Sequence, residues 1–284
     1  MKERLKFAVI GGDGRNLAAA QIFMNQGWDT TLYGVLTEKS NIPMASDFRT
    51  AVETADVVLL PLPLTKDGVS VYAPALSEAI PISDLLSHVN KDAFLFGGAC
   101  DTISDQRVID YAKREDFALL NAVPTAEGAF LLALQHRKQT VFGSRVGILG
   151  FGRVAARTAT LFHAAGADIS VFARKAEARA SAKLQGYHAY DFKSLKKEAC
   201  TWDLVINTVP ARLLGFDILQ EMRKECLILD LASAPFGLDF NEAKEIGFCA
   251  ICASALPGKY FPESAGKMIA DTIIEILKEK SILF

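Results

Sequence analysis

The sequence has almost no net charge, because 31 Lys and Arg residues are balanced by 33 Asp and Glu residues, for a formal charge of −2. Its basic residues form no stripe, and without one we expect no nucleic acid as a partner. It also lacks an apolar run close to the roughly 18–20 residues that span a bilayer, so we expect no membrane partner. The opening, MKERLKFAVIGG, enters a strand at once and has no signal-peptide pattern.

Cysteine and histidine are both scarce, with five and four copies. Cys249 and Cys252 have the spacing closest to that of a zinc pair, but they lie in an apolar, strand-like run, FCAIC. Such a run favours small buried side chains over metal ligands, so we predict no metal site. The cysteine usage indicates a reduced, intracellular protein, and we expect it to be cytoplasmic.

Apolar runs of strand length alternate with helical segments along nearly the whole chain. The 284 residues exceed the usual size of one domain, and half of them are hydrophobic. Short buried strands joined by helices indicate parallel sheets covered on both faces. We therefore predict an α/β fold with two Rossmann-like domains, a linker helix and a C-terminal helix that returns to the first domain. The predicted boundaries are 1–122 with 262–284 for the first domain, 123–142 for the linker helix and 143–261 for the second domain.

Four local predictions accompany this plan. We expect a helix over 104–114, followed by a short strand over 117–120. Pro124 is expected to lie at the start of the linker helix, because proline is tolerated in the first turn of a helix. The stretch 256–262 is expected to be a loop before the final helix.

The most informative segment is VGILGFGRVAARTATLFHAAGADISVFAR, over residues 146–174. It predicts a strand, a glycine-rich turn, a helix and a second strand, which is the context of the G-x-G-x-x-A dinucleotide fingerprint. The first glycine allows the tight turn, the second lets a pyrophosphate approach the backbone, and the helix N-terminus offers N–H groups to the phosphates. A bound nicotinamide or flavin dinucleotide is the prediction, with an empty Rossmann-like domain as the alternative. The turn consists of Gly150, Phe151, Gly152, Arg153, Val154 and Ala155.

The end of the second strand bears on cofactor choice. An NAD site usually has Asp or Glu there, bound to the ribose 2′-OH. Here the strand ends in Arg174 and Lys175, and a pair of cations suits a 2′-phosphate. We predict NADP, with NAD possible, and the alternative is two solvated charges at the start of the next helix.

The turn Gly11-Gly12-Asp13-Gly14 also follows a strand and opens a helix. The fingerprint spacing fails here, because Leu17 occupies the last position. We expect a tight strand–helix turn in which Asp13 or Arg15 is available to a substrate, rather than a second dinucleotide site.

Several motifs together resemble the A subunit of dipicolinate synthase from spore-forming bacteria. They are AVIGGDGR, NAVPTAEGAFLLALQH, GILGFGRVA, INTVP followed by LILDLASAPFGLDF, and ALPGKYFPESAG. The resemblance spans the whole chain in the same order. It implies oxidation of dihydrodipicolinate, or of hydroxytetrahydrodipicolinate, to dipicolinate, with a nicotinamide accepting the hydride. It also implies that the partner is the flavoprotein-like B subunit of dipicolinate synthase, in the mother cell during sporulation, and we expect a homo-oligomer.

The implied dianionic substrate needs cations or N–H donors. Arg15 is our first candidate, because the adjacent glycine turn fixes it and its planar fork can bind a carboxylate through two hydrogen bonds. Lys66 and Lys259 are further candidates, although each can also be read as a solvated charge. The remaining predicted substrate contacts are Asp13, Asn121, Thr125 and Ser233.

The implied reaction also needs a base, and Glu127 is our candidate. It is expected in the first turn of the linker helix, where a carboxylate is stabilised by the helix dipole. The alternative is a simple capping charge. By analogy with related Rossmann domains, we predict two further segments at the cofactor. The segment under the cofactor consists of Asn207, Thr208, Val209 and Pro210. The segment beside its nicotinamide consists of Ala232 and Ser233.

Three other functions compete with this one. A 2-hydroxyacid dehydrogenase would need a catalytic His late in the cofactor domain, but no His follows His188. A methylenetetrahydrofolate dehydrogenase-like enzyme would need Tyr-x-x-x-Lys, which does not occur. A non-enzymatic scaffold or regulator of the B subunit remains open, and turnover by the isolated chain would distinguish it.

Overall fold

The computed structural model describes residues 4–37, 40–101 and 103–283. The chain forms two compact units. One contains the chain up to Asn121 and the segment from Pro257 onward, and the other contains Ala122–Leu256. Each unit is a parallel sheet with helices, so the predicted α/β fold with two Rossmann-like sheets is confirmed.

The strands are β1 Lys6–Ile10, β2 Asp29–Tyr33, β3 Val57–Leu59, β4 Phe94–Gly97, β5 Val108–Asp110, β6 Arg145–Leu149, β7 Asp168–Phe172, β8 His188–Tyr190, β9 Leu204–Asn207, β10 Leu227–Asp230 and β11 Ala250–Cys252. The helices are α1 Gly14–Asn25, α2 Phe48–Thr54, α3 Ile82–His88, α4 Glu115–His136, α5 Arg153–Ala164, α6 Ala176–Leu184, α7 Leu195–Glu198, α8 Phe216–Leu219, α9 Phe240–Glu245, α10 Leu256–Tyr260 and α11 Pro262–Glu279.

The sheet of the first unit has the strand order β2-β1-β3-β4-β5. All its pairs are parallel, with Phe7 of β1 opposite Thr30 of β2 and Val57 of β3. The chain leaves β1 toward β2 and then crosses to β3 on the other side. The carboxyl ends of β1 and β3 therefore form a topological switch point, the place where open α/β sheets bind ligands.

The C-terminal helix α11 belongs to the first unit, as predicted, and it packs on α1. Gly266 of α11 lies so close to Ala18 and the backbone of α1 that a methyl group in its place would collide with them. Ile269, Ile273 and Leu277 follow at helical spacing and are buried in the same core. The first unit is thus completed by a helix that follows the second unit in the sequence.

The sheet of the second unit has the order β11-β10-β9-β6-β7-β8, again with all pairs parallel. The chain runs outward from β6 through β7 to β8, and then starts again on the other side of β6 with β9. The switch point of this sheet lies at the carboxyl ends of β6 and β9, where Leu149 is paired with Asn207.

The structure corrects two predictions that precede α4. Residues 104–114 contain β5 and a short 3₁₀ turn, Tyr111–Lys113, instead of a helix. This segment is held extended because Asp110 accepts hydrogen bonds from the N–H groups of Ala99 and Cys100, beside β4. Residues 117–120, predicted as a strand, are helical and belong to α4.

The linker helix also differs from its prediction of 123–142. It spans Glu115–His136, and Pro124 lies inside it rather than at its start. Phe117 is buried before the proline, and the buried positions Ala122, Ala126 and Ala129 continue at helical spacing across it. The long burial stripe, not the local effect of proline, decides where this helix begins.

Helix α4 is the one described helix long and apolar enough to cross a membrane by length and composition alone. The core helix of a soluble protein passes the same test. The stretch 256–262, predicted as a loop, is also corrected, because α10 occupies Leu256–Tyr260.

Candidate functional site

The turn after β6 has the geometry that the fingerprint predicts. Gly150 has a positive φ of 96°, which favours glycine. Gly152 precedes α5, and a Cβ placed on it would meet nothing within 4 Å. No side chain of the described residues caps the start of α5. The space in front of this helix start is therefore open to an anionic ligand such as a pyrophosphate.

The other side of this switch point is formed by the residues after β9. The Thr208 hydroxyl donates a hydrogen bond to the Leu149 carbonyl oxygen at 2.8 Å. A Cβ on Gly150 would lie 2.5 Å from Thr208 Oγ1 and 3.0 Å from a methyl of Val209. The predicted cofactor residues of the fingerprint and of the 207–210 segment are thus in direct contact.

Asn207 is fully buried, and its side chain is bonded within the protein. Its Nδ2 donates to Asp230 Oδ1 at 2.8 Å and to the Val209 carbonyl oxygen at 2.9 Å. Asp230 was not predicted as a site residue. The available signal was a carboxylate at the end of a buried strand, within the motif that also contains Ala232, which is buried, and Ser233, which is exposed.

The end of β7 presents three cations rather than the two predicted. Arg174 and Lys175 are exposed. Arg179, one turn into α6, donates through Nη1 to the carbonyl oxygens of Ala173 and Arg174 at 2.9 and 2.7 Å. Sequence reasoning missed Arg179 because it lies five residues beyond Arg174, inside the next helix. The first turn of α6 also carries a carboxylate, Glu177.

The turn after β1 is filled by its own side chains. Asp13 caps α1 by accepting from the Arg15 N–H at 3.0 Å. The Arg15 guanidinium donates to the same carboxylate through Nε at 2.9 Å and Nη2 at 2.8 Å, and Nη2 also bonds the Leu62 carbonyl oxygen. Arg15 thus bridges the switch point of the first sheet. Nε and Nη2 are thus already used, and Nη1 is the nitrogen of the guanidinium that has no hydrogen bond to a described residue.

The directions of the pKa shifts of Asp13 and Arg15 agree with a tightly held ion pair. Burial disfavours the Asp13 carboxylate, but hydrogen bonds from Arg15 and its charge outweigh that effect and lower the pKa of Asp13. Burial opposes the charge of Arg15 as well, and the bonds to Asp13 outweigh it and raise its pKa. Both groups are therefore ionised at neutral pH. Arg15 is only 6% exposed.

The two predicted lysines of the first unit each lie near an aromatic ring. Lys66 Nζ is 3.7 Å from the centre of the Tyr72 ring. Lys259, in α10, is 5.1 Å from the Tyr260 ring. Gly258, beside Lys259, packs against the Arg15 guanidinium, because a Cβ there would lie 2.7 Å from Nε. The structure therefore brings Lys259 into the neighbourhood of Arg15.

The structure corrects the position of Glu127. It lies in the middle of α4, not in its first turn, so the helix dipole does not stabilise its carboxylate. The side chain is exposed. Asn121 and Thr125 lie on the same helix, four residues apart and therefore on one face, and both are half-buried.

The prediction that Cys249 and Cys252 are buried is wrong. Both are exposed, as is Cys200, whereas Cys100 and Cys226 are buried. The apolar run forms β11, which is the edge strand of its sheet and so lacks a neighbour on one side. Among the described residues, no group of three or more His, Cys, Asp or Glu side chains could hold a metal ion.

The fold and the turn after β6 are those of a dinucleotide-binding domain, and the family match of residues 124–235 makes the class of this protein an oxidoreductase that uses a nicotinamide dinucleotide. Residues 124–235 match the family model "D-isomer specific 2-hydroxyacid dehydrogenase, NAD binding domain". Residues 6–122 match the family model of the N-terminal domain of the dipicolinate synthase A subunit. The chain is 32% identical to the A subunit of dipicolinate synthase from Bacillus subtilis (strain 168), covering 97% of this chain and 96% of that protein. It therefore belongs to the family of dipicolinate synthase A subunits.

Solved structures agree with this assignment. The A chain of dipicolinate synthase from Bacillus subtilis superposes with a TM-score of 0.85 at 32% identity, over 98% of this chain and 97% of that one. The A subunit of the Bacillus halodurans dipicolinate synthase gives a TM-score of 0.84 at 28% identity, over 96% and 97%. A transhydrogenase from Sinorhizobium meliloti shares the fold alone, with a TM-score of 0.67 at 14% identity, over 96% and 94%.

Proposed function

We propose that this chain oxidises dihydrodipicolinate to dipicolinate with NADP, as the A subunit of a dipicolinate synthase. If hydroxytetrahydrodipicolinate is the species that enters, loss of water precedes the oxidation. The observation that carries the proposal is the similarity along the full chain to a relative of that name, joined to an open dinucleotide turn. The dihydropyridine loses a hydride and a proton, and aromatisation of its ring supplies the driving force.

The residues of the second unit suit the cofactor. When bound, the nicotinamide would accept the hydride. The turn 150–153 and Val154 would hold the pyrophosphate on the first turn of α5. The segments 208–210 and 232–233 would line the nicotinamide end, since both follow strands at their carboxyl ends.

NADP is favoured over NAD because of the charges at the end of β7. Arg174 and Lys175 would bind the 2′-phosphate through charge-assisted hydrogen bonds. Arg179 adds a third cation, already anchored by two carbonyl oxygens of the same strand end. The first turn of α6 contains one carboxylate, Glu177. In an NAD site, this carboxylate would take the place of the cations beside the ribose.

The dicarboxylate substrate needs positive groups, and the first unit offers three. Lys66 and Lys259 would bind carboxylates directly, and Arg15 would contribute Nη1, with Asp13 holding it in place. In the second unit, Thr125 and Ser233 remain candidates for hydrogen bonds to substrate, as does Asn121 at the end of the first. Glu127 is exposed and therefore able to exchange a proton with solvent, which a base must do.

The cellular setting follows the resemblance. The relative is named as one of several subunits, which indicates a complex. We therefore propose that the partner is the B subunit of dipicolinate synthase, and that this chain also forms a homo-oligomer. The place of action would be the cytoplasm of the mother cell during sporulation.

The test is an absorbance assay at the dipicolinate band with the purified chain, freshly generated substrate and either NADP or NAD. We expect dipicolinate to form in step with reduced cofactor, faster with NADP. Product only after addition of the B subunit would mean that the chain alone is a scaffold. Turnover of 2-hydroxy acids instead would favour the dehydrogenase whose cofactor-domain model matches residues 124–235.

A further inference from the structure

Asp230 is a buried carboxylate at the carboxyl end of β10, with an exposed fraction of 0%. Three N–H groups donate to it. They come from Asn207 Nδ2 at 2.8 Å, the Ala232 backbone at 3.0 Å and the Gly237 backbone at 2.6 Å. These donors belong to the end of β9, to the start of the segment after β10, and to the residue that closes that segment. One carboxylate therefore holds three stretches of backbone together.

The amide of Asn207 extends these contacts toward the dinucleotide turn. Its Nδ2 donates to the Val209 carbonyl oxygen at 2.9 Å, and its Oδ1 accepts from the Val209 N–H at 3.1 Å. Residue 208, between them, bonds Leu149 just before Gly150. A continuous set of contacts thus runs from Asp230, through Asn207 and Thr208, to the start of the fingerprint turn.

We infer that Asp230, acting through Asn207, is a positioning residue for the segments 208–210 and 231–236. The inference rests on the proposed function, which assigns 208–210, and 232–233 within the second segment, to the nicotinamide half of the dinucleotide. Asp230 itself has no role in contacting the cofactor. It fixes the distance between these two segments, so that both are held in position relative to each other.

The chemistry of the side chain explains why a carboxylate is required. An ionised carboxylate only accepts hydrogen bonds, and all three groups that reach Asp230 are donors. An asparagine of the same shape would turn an NH₂ group toward at least one of these N–H groups. That leaves a buried donor without an acceptor and displaces the segment that carries it.

The effect should be confined to one half of the cofactor. The adenosine half is expected at the end of β7 and the start of α6, where Arg174 and Arg179 lie, and none of the three donors to Asp230 belongs to these elements. A purely structural role would mean that loss of Asp230 lowers the stability of the protein and the affinity for every ligand alike. A positioning role would mean that loss of Asp230 lowers the affinity for the whole dinucleotide but leaves the affinity for its adenosine fragment unchanged.

The experiment measures calorimetric affinities of wild type and Asp230→Asn for NADP and for its fragment 2′,5′-ADP, with NAD and AMP in parallel. We expect the variant to lose about tenfold or more in affinity for the dinucleotide. Affinity for the matching fragment should stay within about twofold, since the adenosine contacts are intact. Asn207→Ser, which keeps the carboxylate and its backbone donors, should show the same pattern and guards against misfolding of the first variant.

A matched control exists in the first unit. Asp110 also accepts three backbone N–H bonds, from Ala99, Cys100 and Ala112 at 2.9–3.1 Å. Asp110→Asn should lower the melting temperature without changing either affinity. Equal weakening of dinucleotide and fragment by Asp230→Asn, or no weakening, would overturn the inference. Wild-type binding without dipicolinate formation would instead count against the proposed function and leave the inference standing.

Discussion

In each unit the first strand of the sheet is followed by a glycine-rich turn and a helix of 12 residues, α1 in one and α5 in the other. Each turn lies at the switch point of its sheet. In the first unit, Asp13 caps the helix and Arg15 crosses to the Leu62 carbonyl oxygen, so side chains of the protein occupy the position of a ligand. In the second unit, the space beside Gly152 is open and the helix has no side-chain cap among the described residues.

The difference comes from three positions in the two turns. GGDGRN has a capping Asp at the residue before the helix, with Arg and Asn in its first turn. GFGRVA has Gly152 as the residue before the helix and small or aliphatic residues after Arg153. Asn16 even packs over Gly12, where a Cβ would overlap its amide. The same architecture therefore leaves a helix start open to an anion in one unit and forms an internal contact between side chains in the other.

The largest expected effect comes from closing the open turn. Gly152→Val puts a branched side chain where the pyrophosphate must approach the backbone, and should abolish cofactor binding. Helix content by circular dichroism should stay near that of wild type. The matched variant in the other turn, Gly12→Ala, should lower stability and leave cofactor affinity unchanged. If Gly152→Val still binds the dinucleotide, the open turn is not its site.

The next effect concerns the filled turn. Arg15→Ala leaves the Asp13 carboxylate without its guanidinium partner, and should lower the free energy of unfolding by about 2–3 kcal/mol. Arg15→Lys should also destabilise, because an ammonium cannot replace the fork. Chemical denaturation measures both. Normal stability together with a strongly raised KM for the substrate would show instead that Arg15 binds the substrate and does not stabilise the turn.

Cofactor choice sharpens the comparison at the open turn. Arg174→Ala should cost about 1.5–3 kcal/mol of NADP affinity, the value of a charge-assisted contact, and little of NAD affinity. Arg179→Ala should act in the same direction, since it removes the third cation. Lys183→Ala, an exposed lysine in the last turn of the same helix, is the control. Equal calorimetric affinities of wild type for NADP and NAD would contradict the prediction.

The smallest effect is a pH dependence of the filled turn. Because the pKa of Asp13 is lowered in the folded state, its ionised form contributes stability above the ordinary carboxyl value of about 4. That contribution is lost as the pH falls through the lowered value. The difference in unfolding free energy between wild type and Asp13→Asn should therefore be constant from neutral pH to about pH 5 and shrink below it. A difference that does not change on acidification would show that Asp13 is not the group responsible.

Much of this comparison was predictable from the sequence, because it depends on local patterns. Both parallel sheets, the fingerprint turn and the return of α11 follow from strand-length apolar runs, glycine spacing and helical periodicity. The course of α4 was not predictable in the same way. Pro124 is a local signal for a helix start, and burial over the whole length of the helix overrode it.

The missing site residues were of another kind. Asp230 and Arg179 act through partners in other segments, Asn207 in the first case and the end of β7 in the second. Spacing along the chain does not indicate such partners. Arg15 had the opposite problem, since its charge suggested a ligand while its fork was already bonded to a residue two positions away.

The most direct test of the account is hydrogen exchange with and without NADP, measured by mass spectrometry over both turns. An open second turn and a filled first one predict that NADP protects the backbone amides of 150–155 and leaves those of 11–16 unchanged. Protection at 11–16, or none at 150–155 under saturating NADP, would contradict the claim that the second turn alone receives the cofactor.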